Sequence, residues 1–445
     1  MTLVPPVGVD PTTDLGWHQA ADFIADLRWQ QVPRDVRNRA ALVVADLVAS
    51  TVPGREAPTS KIAAEVAADV FGGDRALAWY DGSPLSVPGA AFANAVMANS
   101  LDFDDGHRLT KGHPGAVIIP AAVAIAQQTG ASVTDLMAAI IVGYEIGIRT
   151  GIGQHSRRPQ YHATGSWGAV GAAAASAHLL QLDREQIRHA LGLAEYHGPI
   201  SLIMRSVDDP QMTKDGIGWG AQVGVTSALL AQRGFTAVHP ELLNEDDFGS
   251  LGSRWSIEEV YVKPFPCCRW AQSAITAAQV VSGQVSDPAD IVGVEISTFE
   301  AAAALSRRRP TTTEEAQYNL IWPVAAALAH GRYTVADVLT GFDSTEVHAM
   351  ADKVQVTVLP ELTAEFPDLR RAEVTLTMRD GSKLRSGLLE ADGEPGSEHW
   401  QRVVADKVAQ YLGKQLVAGD VDPPVGPIPT NDHQALLDVL CYAAT

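Results

Sequence analysis

The sequence predicts a mainly α protein, with a large all-helical domain followed by a smaller α/β (α+β) domain. Three observations predict it. Apolar residues recur at helical spacing through most of residues 1–262, whereas convincing period-two alternation begins only past residue 290. Alanine is abundant and aromatic residues make up only 6%, which favours packed helices over a β-sandwich. A chain of 445 residues exceeds one ordinary domain, and 46% hydrophobic with 19% charged residues describes a globular protein with a large core.

Residues 1–12 read as a Pro-containing arm, and 14–27 as a helix burying Trp17, Ala20, Ala21, Phe23, Ile24 and Leu27. Pro33 opens a second helix, to about residue 51, and Thr59 or Ser60 caps a third through Phe71. Residues 76–79 suggest a short strand, and Asp81-Gly82 a turn. Ser86 caps a helix with Pro88 in its first turn, and residues 101–115 follow as a loop. Pro120 opens an Ala-rich helix that Gly130 ends, and Thr134 begins another through Ile148. Residues 151–166 read as a polar loop. Residues 167–180 form a helix of small residues, expected to be central because small side chains let helix axes approach. Asp183-x-x-Gln186 resembles a capping box, and 217–232 is helical with Gly234 as its stop. Composition changes near Tyr261. One more helix follows, then strands over 291–299 and 354–359 and a hairpin turning at Arg379-Asp380-Gly381. The tail from Glu398 returns to helix. The expected domains are 1–262, completed by helices over 398–445, and 263–397, with the site in the cleft between them.

Charge narrows the function. A net charge of −19 argues against nucleic acid or an anionic membrane as partner, so an anionic substrate requires a local basic pocket. Three cysteines without a C-x-x-C pair suggest a reducing compartment and no thiolate-bound zinc or iron–sulfur cluster. The N-terminus lacks a charged and then apolar leader pattern, and no uncharged run reaches the ~20 apolar residues of a membrane span. A cytoplasmic protein is expected.

The densest chemistry lies in the loop 101–115: Asp102, Asp104, Asp105, His107, Arg108, Lys111 and His113. Its carboxylates lack the spacing of an EF-hand, and no metal is assigned. His113 stands between Gly112 and Pro114 before a helix start, where an imidazole tends to stay neutral and suits a base or donor. His107 and Arg108 are candidates for reading an anionic substrate. His162 also precedes a small-residue helix, and Arg149 is a candidate carboxylate partner. Lys214 precedes Gly216-x-Gly218-x-x-Ala221, which grazes a dinucleotide fingerprint but follows no strand, so no such cofactor is assigned. Lys263 lies at the domain junction before Cys267-Cys268-Arg269, and Tyr318, after Gln317, is expected to start a helix facing the cleft. No G-x-S-x-G, P-loop or H-E-x-x-H occurs.

Several separated motifs converge. Leu101-Asp-Phe-Asp-Asp with Gly112-His-Pro-Gly-Ala, Gly143-Tyr-Glu-Ile-Gly, His162-Ala-Thr-Gly, Lys214-Asp-Gly-Ile-Gly-Trp, Lys263-Pro-Phe-Pro-Cys-Cys-Arg and Gln317-Tyr318 resemble, in order, the MmgE/PrpD family. That family includes 2-methylcitrate dehydratase, cis-aconitate decarboxylase and iminodisuccinate epimerase. The resemblance implies a helical domain with an α/β lid, usually a homodimer, and cofactor-free chemistry on small di- or tricarboxylates. Carried over motif by motif, its active-site positions are Asp102, His113, His162, Lys214, Lys263 and Tyr318, with His107, Arg108, Arg149, Arg269 and Gln317 as substrate-binding candidates. The chain departs from the dehydratase and decarboxylase pattern where a His follows the lysine; here the segment is Asp215-Gly-Ile-Gly218.

The implied chemistry is a carbanion made or used next to a carboxylate, stabilised by cations while a poised group moves the proton. A lyase (dehydration or decarboxylation) is expected. The alternatives are an epimerase of a dicarboxylate, or a non-catalytic binding protein on the same fold.

Overall fold

In a computed structural model that describes residues 11–444, apart from 159, 244–247, 418 and 420, the apolar residues divide into two cores. The larger gathers side chains from Trp17 to Val262 and then from Trp400 to Ala444. The smaller runs from Phe265 to Leu376 and takes in Ala57, Leu101, Phe103 and Val207 from the helical side. The result is the expected large helical domain with a smaller α/β domain. Of the expected arm, residues 1–10 lie outside the described ones.

The helical domain contains α1 (Pro11–Asp26), α2 (Arg34–Gly54), α3 (Pro58–Val70), α4 (Val87–Asn99), α5 (Pro114–Thr129), α6 (Val133–Arg157), α7 (Thr164–Leu179), α8 (Arg184–His197), α9 (Met204–Asp208) and α10 (Ile217–Gln232). Helix α7 is central, packed against α5, α6, α8 and α10. Its small residues make that possible: a Cβ on Gly171 would lie 2.8 Å from the Gly143 carbonyl and 3.0 Å from Gly147 Cα on α6. Side chains inserted there would overpack the crossing, at about 1–3 kcal/mol each.

Several boundaries differ from the sequence reading. Helix α3 begins at Pro58 after Ala57, so neither Thr59 nor Ser60 caps it. Helix α5 begins at Pro114, with Pro120 buried inside it. Of two prolines six residues apart, the first takes the position where its missing N–H costs nothing. Helix α6 starts from a Ser132–Asp135 capping box and runs on to Arg157, through what read as loop. Gly151 is there for close packing, since a Cβ would sit 2.8 Å from Thr110 and 2.9 Å from Trp167. Helix α6 is long and apolar enough to cross a membrane by length and composition, but 94% of its apolar window is buried inside the protein.

Short pairings fix the loops. Strand β1 (Gly72–Leu77) pairs with β2 (Pro84–Leu85), earlier than the expected 76–79. Strand β3 (Gly106–His107) pairs antiparallel with β4 (Val260–Tyr261), tying the loop 101–115 to the domain junction. Gly106 must be glycine, because a Cβ would collide with the Tyr261 ring.

In the second domain, β5 (Ile291–Thr298) lies between β6 (Val354–Val358), parallel, and β7 (Arg371–Met378), antiparallel; β8 (Lys383–Arg385) and β9 (Leu389–Glu390) pair with β7. Ile296 faces Val356 on one side and Val374 on the other. A register shift between Ile291 and Gly293 breaks strict alternation. The helix Arg269–Ser282 packs on β7. The chain then returns: Trp400–Lys407, followed by a π turn over Val408–Leu412, packs on α2. From there buried Lys407 reaches Asp46 Oδ1 (2.6 Å) and donates to the Phe103 carbonyl (2.7 Å), bracing the loop 101–115 from behind.

Candidate active site

The loop between α4 and α5 is buried, with Asp102, Asp104 and Asp105 each at most 2% exposed. Non-glycine residues with positive φ, among the described ones, are Asp102 (52°), Lys111 (50°), Lys214 (41°) and Gln181 (52°). Three of the four lie at this site. Such conformations cost of order 1–3 kcal/mol and persist where the surroundings over-determine them.

Pro114 starts α5, which leaves His113 immediately before the helix. Its Nε2 lies 3.2 Å from Asp102 Oδ1 and 4.0 Å from Asp215 Oδ2. Its Nδ1 lies 3.2 Å from Asp104 Oδ2 and 3.1 Å from the Asp105 carbonyl. Every one of these neighbours accepts. A neutral imidazole has one N–H, so this arrangement fits a ring carrying both protons. The electrostatics agree. Burial and the Lys263 charge push the His113 pKa down, but Asp104 and Asp102 carry it above its ordinary value. The expected neutral ring is thus corrected: full carboxylate charges at hydrogen-bond distance outweigh the partial charge of a helix N-terminus.

The carboxylates differ among themselves. Burial opposes ionisation of Asp104, yet His113, Lys263 and the Asn99 amide (2.9 Å) hold its pKa at about 2. Asp105 goes the other way: burial and the Asp104 charge raise it to about 7, against hydrogen bonds from the Tyr144 hydroxyl (2.8 Å) and the Gly115 N–H (3.0 Å).

The remaining groups arrive from distant segments. Lys263 donates to Asp102 Oδ1 (2.7 Å) and to its carbonyl (2.9 Å). Although burial opposes it, Asp102 and Asp104 raise the pKa of that ammonium. Lys214 donates to the Asn99 carbonyl and to Gln317 Oε1 (2.7 Å), and Gln317 donates to the Ser100 carbonyl (3.0 Å). Burial lowers the Lys214 pKa in spite of Asp102 and Asp104. The Tyr318 hydroxyl donates to Asp215 Oδ2 (3.2 Å), whose other oxygen accepts from Thr164 Oγ1 (3.1 Å). Tyr318 does not start a helix; it caps the end of Thr313–Gln317.

Asp102, Lys111, His113 and Asp215 from the helical side face Lys263, Arg269, Tyr318 and Arg370 across a cavity of about 40 Å³, the space of a few waters. Four basic side chains line it (Lys111, whose pKa burial and then Arg370 lower to about 8, with Lys263, Arg269 and Arg370) against two carboxylates (Asp102, Asp215), so an acidic protein carries a basic pocket. Arg269 is held by Glu394 (2.8 Å) and the Ala391 carbonyl (3.1 Å).

Other candidates stand apart. Arg149 is committed to Glu145, Ser256 Oγ (2.8 Å) and the Arg254 carbonyl (2.8 Å), fastening a 3-10 turn to α6 rather than meeting a substrate. His107 is buried beside Glu259 (3.5 Å), and Arg108 pairs with Glu394 (2.7 Å); neither lines the cavity. His162 is buried two residues before Thr164, whose Oγ1 accepts the His113 backbone N–H (3.2 Å). Neither ring nitrogen of His162 has a hydrogen-bond partner among the described residues.

Asp102, Asp104 and His113 offer donor atoms within 4.8 Å of one another, as a metal site would. The donor set does not fit one: the Lys263 ammonium already occupies Asp102, and the imidazole needs both protons for the acceptors around it. Asp215 and Arg370 escaped the sequence reading as site residues, and Asp104 enters it only among the loop carboxylates weighed for a cation. Asp215 carries a weak signal, a carboxylate beside Lys214 just ahead of a helix; Arg370 carries none.

Residues 18–254 match the MmgE/PrpD N-terminal domain, and residues 265–420 the MmgE/PrpD C-terminal domain. The cis-aconitate decarboxylase of Aspergillus terreus is 22% identical over 417 residues, covering 81% of this chain and 82% of the relative. The human cis-aconitate decarboxylase is 24% identical over 322 residues, 66% of each chain. The mouse protein of that name is 24% identical over 326 residues, 66% of this chain and 65% of its own. With both of its domains matched in order over most of its length, the chain belongs to the MmgE/PrpD family.

Proposed function

We propose that the protein is a lyase acting on a small di- or tricarboxylate at a carbon next to a carboxylate. The observation that carries this reading is His113, set between Asp102 and Asp104 beside a cavity lined by four basic side chains. Cations at such a cavity neutralise substrate carboxylates and the charge that develops on the adjacent carbon. An imidazolium kept protonated by two carboxylates at the cavity wall is placed to give a proton to a substrate that enters beside it. In decarboxylation the C–C electron pair stays on the substrate carbon, CO₂ leaves, and His113 supplies the proton. In dehydration the same proton goes to the departing β-hydroxyl, while a second group removes the proton next to the carboxylate. We assign the second role to His162, which does not line the present cavity but whose pKa burial lowers and whose ring nitrogens have no hydrogen-bond partner among the described residues. The relatives named cis-aconitate decarboxylase favour the first reaction. Substrate entry requires the lid residues to draw back, since the present cavity is too small for a tricarboxylate.

A second reading is an epimerase. It is favoured by Asp215-Gly-Ile-Gly218, where the lyase pattern has a histidine, and by Tyr318 on Asp215, a second proton-bearing pair near His113. We also propose a homodimer. Ile62, Val66, Met212 and Trp219, each 44–53% exposed, offer an apolar face, and light scattering on the purified protein tests it.

The test is turnover of a polycarboxylate panel, cis-aconitate and 2-methylcitrate included, in deuterated water. Released CO₂ or a new alkene marks the lyase. Deuterium entering a stereocentre of an otherwise unchanged substrate marks the epimerase. No change in any compound would overturn both.

A further inference from the structure

Arg370 immediately precedes β7 and lines the cavity, yet it is only 2% exposed. Its Nε and Nη1 have no hydrogen-bond partner among the described residues. Its Nη2 makes one long contact, 3.4 Å, to the Arg108 carbonyl. The Tyr261 ring lies 5.0 Å from the guanidinium carbon, a supporting face without an acceptor for its N–H groups. Glu394 is engaged elsewhere, by Arg269 at 2.8 Å and Arg108 at 2.7 Å.

A buried guanidinium with unpaired N–H groups is costly, because each donor loses water and gains nothing. A planar anion removes that cost. Both edges of the plate share Nη2, so a carboxylate on either edge pairs one unpartnered nitrogen with Nη2 in the two-pronged contact that arginine makes best. Lys111 lines the same cavity as a second basic group, its pKa lowered to about 8 by burial and then by Arg370, so that an anion between the two would favour its charged form.

We propose that unpaired Arg370, facing the His113 cavity, is the binding site for a second substrate carboxylate, so that the ligand is a dicarboxylate with one carboxylate on Arg370 and the carbon beside the other at His113. This rests on the reading of the site above only for which carbon reacts; the binding preference is measurable without turnover. A monocarboxylate of the same length lacks the group that Arg370 takes and binds more weakly.

The experiment titrates succinate and butyrate, matched in carbon number, into the full-length protein by calorimetry. Wild type is expected to bind succinate at least about tenfold more tightly. In Arg370→Met the preference falls to within about twofold, and the melting temperature without ligand is unchanged or higher, because an unpaired buried charge has gone. Arg370→Lys keeps the charge without the fork and retains part of the preference. Arg370→Gln, which keeps N–H donors without charge, replaces the Met variant should that one not fold. The proposal is overturned if wild type shows no preference for succinate, or if the preference survives in folded Arg370→Met. An Arg370-dependent preference without turnover of any panel compound defeats the catalytic reading and leaves this one standing.

Discussion

His113 and His162 occupy matching places in the chain. Each follows a loop and precedes a helix rich in small residues, α5 and α7. His113 has a carboxylate within 3.2 Å of each ring nitrogen, and its pKa is raised, with Asp104 and Asp102 overcoming burial and Lys263. His162 has no hydrogen-bond partner at either ring nitrogen among the described residues, and burial, then Arg158, lowers its pKa. The helix N-terminus is common to both and therefore does not set the chemistry. What differs is the preceding loop, which supplies aspartates to one ring and none to the other. Two titratable groups driven apart in this way suit the roles of an acid and a base.

The comparison breaks most sharply at His113. His113→Asn is expected to lower kcat/KM by about 10³, within the range for loss of a positioned proton donor. If the variant folds and keeps wild-type turnover, the acid lies elsewhere. His162→Asn is expected to cost less, about 10², and to remove the acidic limb of the rate profile, since a base with a lowered pKa works from below the ordinary value of about 6.5. Asp104→Asn removes one carboxylate from the His113 ring. The alkaline limb should move to lower pH, with kcat down roughly tenfold, and a fixed limb would detach it from Asp104. The smallest effect is expected at a distance: Lys407→Met unties the Phe103 carbonyl, and kcat should fall about fivefold with KM nearly constant.

Stability follows the same shifts. The raised pKa of His113 makes its contribution fully present below about 6.5 and lost as pH rises through its folded value. Asp104, held at about 2, contributes above the ordinary carboxylate value and loses this as pH falls through about 2. Melting curves across pH of wild type and His113→Asn should therefore converge at alkaline pH.

What was legible in the sequence was local. Ser86 caps α4, Asp183 and Gln186 form the capping box of α8, and Gly381 turns the β7–β8 hairpin at φ 85°, because each depends on residues a few positions apart. Gly151 misled because glycine serves both to break a helix and to let two helices touch, and only the neighbours Thr110 and Trp167 distinguish these uses. Arg149 reads in the sequence as a candidate partner for a substrate carboxylate, but its partner Glu145 sits one turn away inside the same buried helix. The charge state of His113 was illegible for a related reason. The spacing suggested a helix start, whereas the ring answers to Asp102, Asp104 and Asp215, brought together by a left-handed residue and a strand pairing. Arg370 lies more than 250 residues from His113, and no local pattern announces that they share a cavity.

The most direct test of the difference between the two rings is their titration. With ¹⁵N-labelled histidine and the His113→Asn and His162→Asn variants for assignment, the ring nitrogen shifts of both residues are followed across pH. The predicted result is a midpoint above about 6.5 for His113, with both nitrogens protonated below it, and a midpoint below about 6.5 for His162. A His113 midpoint at or below that of His162 would contradict the assignment of His113 as the charged acid and His162 as the neutral base.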